Sequence, residues 1–160
     1  MIHIRRAGPL DARPMAELLN EIIAEGSTTA MTDPVSGPDI AAKMRADARC
    51  IWHVAEDAQG RIMGFQYVEP HRAHGPDVAS IATFSRQGHT GLGIGSRLFA
   101  ATEGAARAAG YAWIDAEIRA DNIGGLAYYQ SRGFEDYGRK EGYRLGDGRV
   151  VDKVLKRCDL

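Results

Sequence analysis

Four glycines fall within eight residues near the middle of the chain, at 88, 91, 93 and 95, in the run Gly88-His89-Thr90-Gly91-Leu92-Gly93-Ile94-Gly95-Ser96. Glycine has no Cβ, so its backbone reaches positive φ and can bring N–H groups close to a ligand. A short apolar run, Ile81-Ala82-Thr83-Phe84, comes first and reads as a strand. Leu98, Phe99, Thr102 and Ala106 follow at helical spacing. Strand, glycine loop and helix together make an anion-binding device, because the helix start adds unpaired N–H donors and a positive dipole end. Residues 88–96 are therefore a candidate phosphate site. The plainer alternative is a glycine-rich turn, which needs fewer glycines than are present. One phosphate-binding pattern, G-x-G-x-x-G with an acid about 20 residues on, begins at Gly91-Leu92-Gly93, with Asp115 or Glu117 as the acid. It then fails: the sixth position is Ser96, six residues separate Phe84 from Gly91, and 65 residues follow Gly95, few for the rest of a doubly wound sheet. Elsewhere, His71-x-x-His74 has no third ligand in reach by sequence, so no metal site is expected. No G-x-S-x-G occurs to support hydrolase chemistry.

These groups must be held by a scaffold, and the chain reads as one. Residues 2–6 alternate apolar and basic and predict a strand. Asp11 follows a turn and is placed to cap a helix carrying Leu18, Leu19, Ile22 and Ile23. Residues 32–38 are a loop, and a short helix runs over about 38–47. Strands are expected at 50–56 and 61–69, forming a hairpin, then a polar loop at 70–76 and a strand at 78–84. A helix from about 94 ends at Gly110. A strand over 111–117 follows, parallel to the fourth. A helix over about 121–132 ends at Gly133, and strands at 134–145 and 149–156 flank Gly146-Asp147-Gly148. No linker or repeat appears. The expectation is a single α/β domain over residues 1–160: a mixed, mostly antiparallel sheet of about seven strands, flanked by about four helices, with a strand–glycine loop–helix cofactor site.

The glycine loop resembles the GNAT acetyltransferases, whose helix-start signature is R/Q-x-x-G-x-G/A. Gly93 and Gly95 match, while Thr90 departs from Arg/Gln. A second stretch agrees. These enzymes often show N-x-x-(A)-x-x-x-Y-x-x-x-G-F at this distance, and here Asn122, Tyr129, Gly133 and Phe134 fall in register. The resemblance covers nearly the whole chain. It is nearest to the phosphinothricin acetyltransferase-like branch, on Glu25-Gly26-Ser27-Thr28 and the Gly142-Tyr143 to Asp152 hairpin.

The resemblance implies an acyl-CoA-dependent N-acetyltransferase that uses acetyl-CoA and no metal. It implies transfer of acetyl to the primary amine of a small molecule, such as an amino acid or an analogue, by direct attack. An alternative is a non-catalytic acyl-CoA-binding or sensor protein. Such chemistry requires an amine to lose a proton, donors for an oxyanion, and an acid for the departing thiolate. The family implies Tyr129 as that acid; an aromatic core residue is the other reading, and its neighbour Tyr128 reads as core. It implies that Thr90, Gly91, Leu92, Gly93, Ile94, Gly95 and Ser96 hold the pyrophosphate, and that backbone at Ala82, Thr83 and Phe84 bonds the pantetheine arm. Asn122 bonds that arm or caps its own helix. Ser80 stands where some relatives carry a glutamate base. Glu25 resembles a glutamate of the branch and is the base candidate, against a solvated acid. Arg72 and His74 are candidates for the acceptor, against a solvated polar loop. A histidine of the last hairpin in some relatives is absent, with Val150-Val151 near its place.

Composition sets the outer bounds. The chain has 160 residues, 44% hydrophobic and 26% charged, with 20 basic and 21 acidic side chains. A balance of −1 argues against an electrostatic nucleic-acid or membrane binder. No apolar run approaches the roughly 20 residues of a membrane span. Cys50 and Cys158 are far apart without a CxxC, which fits a reduced, cytoplasmic protein. Relatives are often homodimers, an assembly that the resemblance carries over; nothing in the sequence itself sets the oligomeric state.

Overall fold

The computed structural model describes residues 1–89 and 92–160. Strand β1 (His3–Arg6) leads through a 3-10 turn (Pro9–Asp11) into helix α1 (Ala12–Glu25). Asp11 stands at the N-cap position of α1, as the sequence suggested, but its side chain makes no capping bond to that helix. Its carboxylate accepts from Gly8 N at 2.7 Å and takes a two-pronged bond from Arg5, each at 2.8 Å. The helix buries Met15, Leu18, Leu19, Ile22 and Ile23, one apolar stripe at helical spacing. Gly26, at φ 81°, ends it in the left-handed conformation that glycine adopts without strain. Helix α2 (Gly37–Met44) starts at Ser36, which exchanges bonds with Asp39 in a capping box.

Next come β2 (Ile51–Glu56), β3 (Ile62–His71) and β4 (Gly75–Ser85). The expected polar loop at 70–76 is mostly strand. Pairing runs out to His71 opposite Gly75, leaving only a tight turn between them. Its residues are polar because they lie at an exposed hairpin end, not because they are irregular. Helix α3 (Ile94–Ala108), β5 (Trp113–Arg119), α4 (Ile123–Ser131), β6 (Glu135–Arg144) and β7 (Val150–Asp159) complete the chain.

The seven strands form one sheet in the order β1-β2-β3-β4-β5-β7-β6. Among the described residues, β4 and β5 make its parallel pair, as the strand–helix–strand connection requires; the other neighbours are antiparallel. One face carries α1 and α2 over Trp52, Phe65, Tyr67 and Phe84. The other packs Phe99, Ala106 and Tyr129 over Val68, Ala79 and Ile114. The parallel pairing is short: Val78 with Trp113, Ala79 with Ile114, and Ser80 with Asp115. Beyond those three pairs the strands part, while β4 stays bonded to β3 as far as Ser85. The sheet therefore opens along one edge of β4 from Ile81 onward, and strand backbone with no strand partner faces the gap.

Candidate active site

That gap is a cleft of about 880 Å³, within the usual range for small-molecule sites. Its walls include Ala82, Thr83 and Phe84 of β4, Gly93 to Ser96, and Tyr128 and Tyr129 of α4. The start of α3 faces it. Gly93, at φ 69°, is the N-cap residue, and among the described residues no side chain caps this helix. The contrast with α2 and α4 is direct, since Ser36 and Asn122 cap those two. Uncapped first-turn N–H groups at the positive end of a helix dipole suit an anion. Gly95 is glycine for a different reason. A Cβ there would meet Tyr128 Cε1 at 2.7 Å, because the Tyr128 ring lies against the first turn of α3. Tyr128 Oη also donates to Gly95 O at 2.7 Å, so this tyrosine is a wall of the cleft and a brace for the loop as well as a packing residue.

Tyr129 is buried at 7% exposure, yet it borders the cleft, and its Oη lies 2.7 Å from Thr83 Oγ1. Burial pushes its pKa well above the ordinary tyrosine value, and the bond from Thr83 pulls the other way. The hydroxyl therefore keeps its proton at neutral pH. Gln66, fully buried on β3, donates from Nε2 to Thr83 Oγ1 at 2.9 Å and to Tyr128 Oη at 3.0 Å. Asn122 does what its place at the helix start allows: Oδ1 accepts from Gly125 N at 2.9 Å, and Nδ2 reaches Thr28 O at 3.4 Å on the cleft wall. Ser96 Oγ donates back to Gly93 O at 3.1 Å. Leu92 is exposed and is not among the lining residues. Thr90 and Gly91 lie outside the described residues.

The acids that border the cleft among the described residues are Glu117 and Asp121. Glu117 lies on β5 two residues beyond the last β4–β5 pair. Lys153 Nζ donates to it at 2.8 Å, and Lys140 Nζ bonds both its oxygens at 3.1 Å. Half-burial raises its pKa, but the bonds and charges of Lys153 and Lys140 outweigh burial and hold the carboxyl below the usual range. Asp121 is held by Arg119, at 2.7 and 3.0 Å. Arg119 is itself buried and donates to Gly26 O and Thr29 O, each at 3.0 Å, which ties the segment after α1 to the end of β5. That segment, Ser27 to Met31, forms a wall of the cleft opposite the glycine loop.

Three candidates from the sequence are not among the residues that line the cleft. Glu25 is exposed and is not itself among the lining residues; Ser27, which is, bonds its carboxylate through N and Oγ and holds its pKa below the ordinary range. Arg72 and His74 belong to the β3–β4 turn, at the opposite end of β4 from the cleft. That turn does gain the third candidate ligand that spacing alone did not supply, since His71, His74 and Asp115 bring donor atoms within 4.8 Å of one another. His71 Nδ1, however, accepts from the N–H groups of Ala73 and His74, each at 3.0 Å. Its proton therefore sits on Nε2 and goes to Asp115 Oδ2 at 3.1 Å. The ring has no lone pair left for an ion in this turn, and Tyr137 Oη occupies the other Asp115 oxygen. This is a polar latch between β3, β5 and β6. Gln66, Arg119 and Lys153 were not singled out by motif or spacing as site residues, and Glu117 entered only as the acid of a dinucleotide pattern that fails. Each reaches the site across strands, which only the sheet order and register reveal.

The sequence profile described as Acetyltransferase (GNAT) family matches residues 15–134. No curated protein matches the chain. Solved structures share the fold. A ribosomal-protein-alanine N-acetyltransferase from Brucella melitensis superposes with a TM-score of 0.90 at 22% identity, covering 99% of each chain. A phosphinothricin acetyltransferase from Sinorhizobium meliloti, solved in complex with acetyl-CoA, gives 0.88 at 22% identity over 99% of this chain and 88% of that one. An N-acetyltransferase from Staphylococcus aureus gives 0.88 at 21% identity over 99% and 98%.

Proposed function

The chain belongs to the GNAT acetyltransferase family, and from that premise we propose that it moves an acetyl group from acetyl-CoA to the primary amine of a small molecule, an amino acid or an analogue of one. The observation that carries this reading is the cleft itself. It joins, in one space, an uncapped helix start behind glycine backbone, an open strand edge, and a buried protonated phenol. Such a space fits a long, phosphate-bearing thioester. The N–H groups of the first turn of α3 receive the pyrophosphate. The free edge of β4 at Ala82 to Phe84 bonds the pantetheine arm as a strand would, and brings the thioester to the point where β4 and β5 part. Gly93 is required because its φ of 69° disfavours any side chain, and Gly95 because Tyr128 fills the space of a Cβ.

The acceptor enters along the other wall, between Ser27–Met31 and the Glu117–Lys153 pair. Glu117 is ionised at neutral pH and is the acceptor on this wall for the proton that the ammonium must lose. The neutral amine forms a C–N bond to the thioester carbon, with the displaced electron pair held on oxygen. The C–S bond then breaks, the thiolate takes the proton of Tyr129, and the second proton that the nitrogen must lose restores the phenol. Lys153 and Lys140 leave this wall with more positive than negative charge around Glu117, which favours an acceptor that also carries an acidic group.

The reading is tested by titrating acetyl-CoA into the protein and into Gly93→Val, then measuring thiol release across amino acids, methionine sulfone and sulfoximine, phosphinothricin, polyamines and short peptides. Acetyl-CoA binding that Gly93→Val abolishes, with thiol release for an amine bearing a carboxylate, is the expected result. Binding without release for any amine would favour an acyl-CoA sensor. Unchanged binding in Gly93→Val would refute the loop assignment.

A further inference from the structure

Behind Tyr129 lies a hydrogen-bonded chain with a definite direction. Gln66 Nε2 has two protons and no lone pair to offer. It gives one to Thr83 Oγ1 at 2.9 Å and one to Tyr128 Oη at 3.0 Å. Both hydroxyls are therefore acceptors from Gln66, and each has its own proton to place elsewhere. Tyr128 places its proton on Gly95 O at 2.7 Å. Thr83 has one fully formed hydroxyl partner left among the described residues, Tyr129 Oη at 2.7 Å; Tyr128 Oη, which already accepts from Gln66, is a second and weaker neighbour. The Thr83 proton therefore points at the Tyr129 oxygen, and the Tyr129 proton is left pointing away from Thr83. The cleft is where it can go, because Tyr129 borders it.

We propose that Thr83 is a positioning residue for acetyl transfer: its hydroxyl, fixed as a donor by Gln66, holds Tyr129 with the phenol proton turned into the cleft and stabilises the phenolate left behind when that proton goes to the thiolate. The inference rests on Tyr129 being the acid. Without this donor, a phenol so buried would form its phenolate only at high cost, since burial disfavours the charged form. Without Gln66, Thr83 could equally accept from Tyr129, which would turn the phenol proton away from the cleft. The titratable groups facing the Tyr129 hydroxyl are Tyr128 on its own helix and Tyr67 on β3. Both are tyrosines with raised pKa values, so no charge nearby does this work instead.

The role is separable from packing by a double-mutant cycle. Thr83→Val keeps the shape and the β-branched side chain, and leaves the backbone that faces the cleft unchanged. Turnover and acetyl-CoA affinity are measured for Thr83→Val, Thr83→Ser, Tyr129→Phe and the Thr83→Val/Tyr129→Phe double variant, with thermal unfolding as a control. The expected result is a fall in kcat of about tenfold for Thr83→Val, the order of one net hydrogen bond. The acetyl-CoA dissociation constant should be unchanged, kcat restored in Thr83→Ser, and no further loss should follow when Thr83→Val is added to Tyr129→Phe. An equal loss of kcat in both backgrounds, or a loss confined to acetyl-CoA affinity, would overturn the proposal. If Tyr129→Phe itself turns over normally, the assignment of the acid fails. If Tyr129→Phe is slow while Thr83→Val is normal, only the positioning role fails.

Discussion

Glu117 keeps its charge because Lys153 and Lys140 converge on it, and a carboxylate so held stays ionised below the usual pKa range. As the proton acceptor it must be ionised to work. The acid limb of kcat/KM in the native enzyme should therefore lie below the range of an ordinary carboxylate, and Glu117→Gln should abolish that limb while lowering kcat about a hundredfold. A pH–rate profile of the two proteins decides this; an unchanged limb in Glu117→Gln would assign it to another group. His53 illustrates the opposite case. It is buried on β2 with its Nδ1 unpartnered among the described residues, and desolvation, with the Arg6 charge, pushes its pKa down to about 4 from 6.5. The unfolded chain binds this proton more readily than the native one, so stability should fall as pH drops from about 6.5 through about 4. Thermal unfolding across that window should slope less steeply for His53→Leu than for the native chain; equal slopes would contradict the assignment.

At the scale of elements, the strand–loop–helix unit is where sequence and structure meet most directly. Gly93 and Gly95 both match the family signature, but for unrelated reasons: one needs a left-handed backbone, and the other makes room for an aromatic ring. Gly95→Ala should thus displace Tyr128 or the first turn of α3, costing about 1–3 kcal/mol of stability and weakening acetyl-CoA binding. Gly104, in the middle of α3, has nothing within 4 Å of a Cβ, so Gly104→Ala should stabilise by about 0.5–1 kcal/mol and leave binding alone. Thermal unfolding and calorimetric titration of both variants test the pair together. The helix and strand pattern was legible because apolar periodicity follows directly from burial on one face, as Met15 to Ile23 demonstrate. The β3–β4 turn was misread for a physical reason: Pro70, His71 and Gly75 look like a loop, while backbone pairing across the hairpin carries them into the strands.

Across the whole molecule, the site exists because two strands that begin as neighbours separate after three pairs. No local pattern records that parting, since it depends on β7 lying on the far side of β5 and on α4 occupying the space behind the gap. The acceptor side was hidden for the same reason. Glu117 meets Lys153 and Lys140 only through the β5–β7–β6 order, and Arg119 reaches back more than 90 residues to Gly26. Glu25, Arg72 and His74 were attractive because their types suit the chemistry, but the folded chain sets Arg72 and His74 at the far end of β4 and leaves Glu25 bonded to Ser27 of the cleft wall without lining the cleft itself. The proposed cofactor side, in contrast, draws on local stretches, and for that reason the glycines at 88–95 and the spacing of Asn122 and Tyr129 stood out in the sequence.

The claim on which the rest depends is that Tyr129 supplies a proton to the thiolate within this cleft. Its most direct measurement is single-turnover thiol release for the native enzyme and Tyr129→Phe, at saturating acetyl-CoA and amine, beside the acetyl-CoA dissociation constant of each. Phenylalanine keeps the ring packed against Phe134 and removes only the hydroxyl. The account predicts a loss in rate of about a hundredfold or more with acetyl-CoA affinity nearly unchanged. A Tyr129→Phe enzyme that releases thiol at the native rate would contradict it.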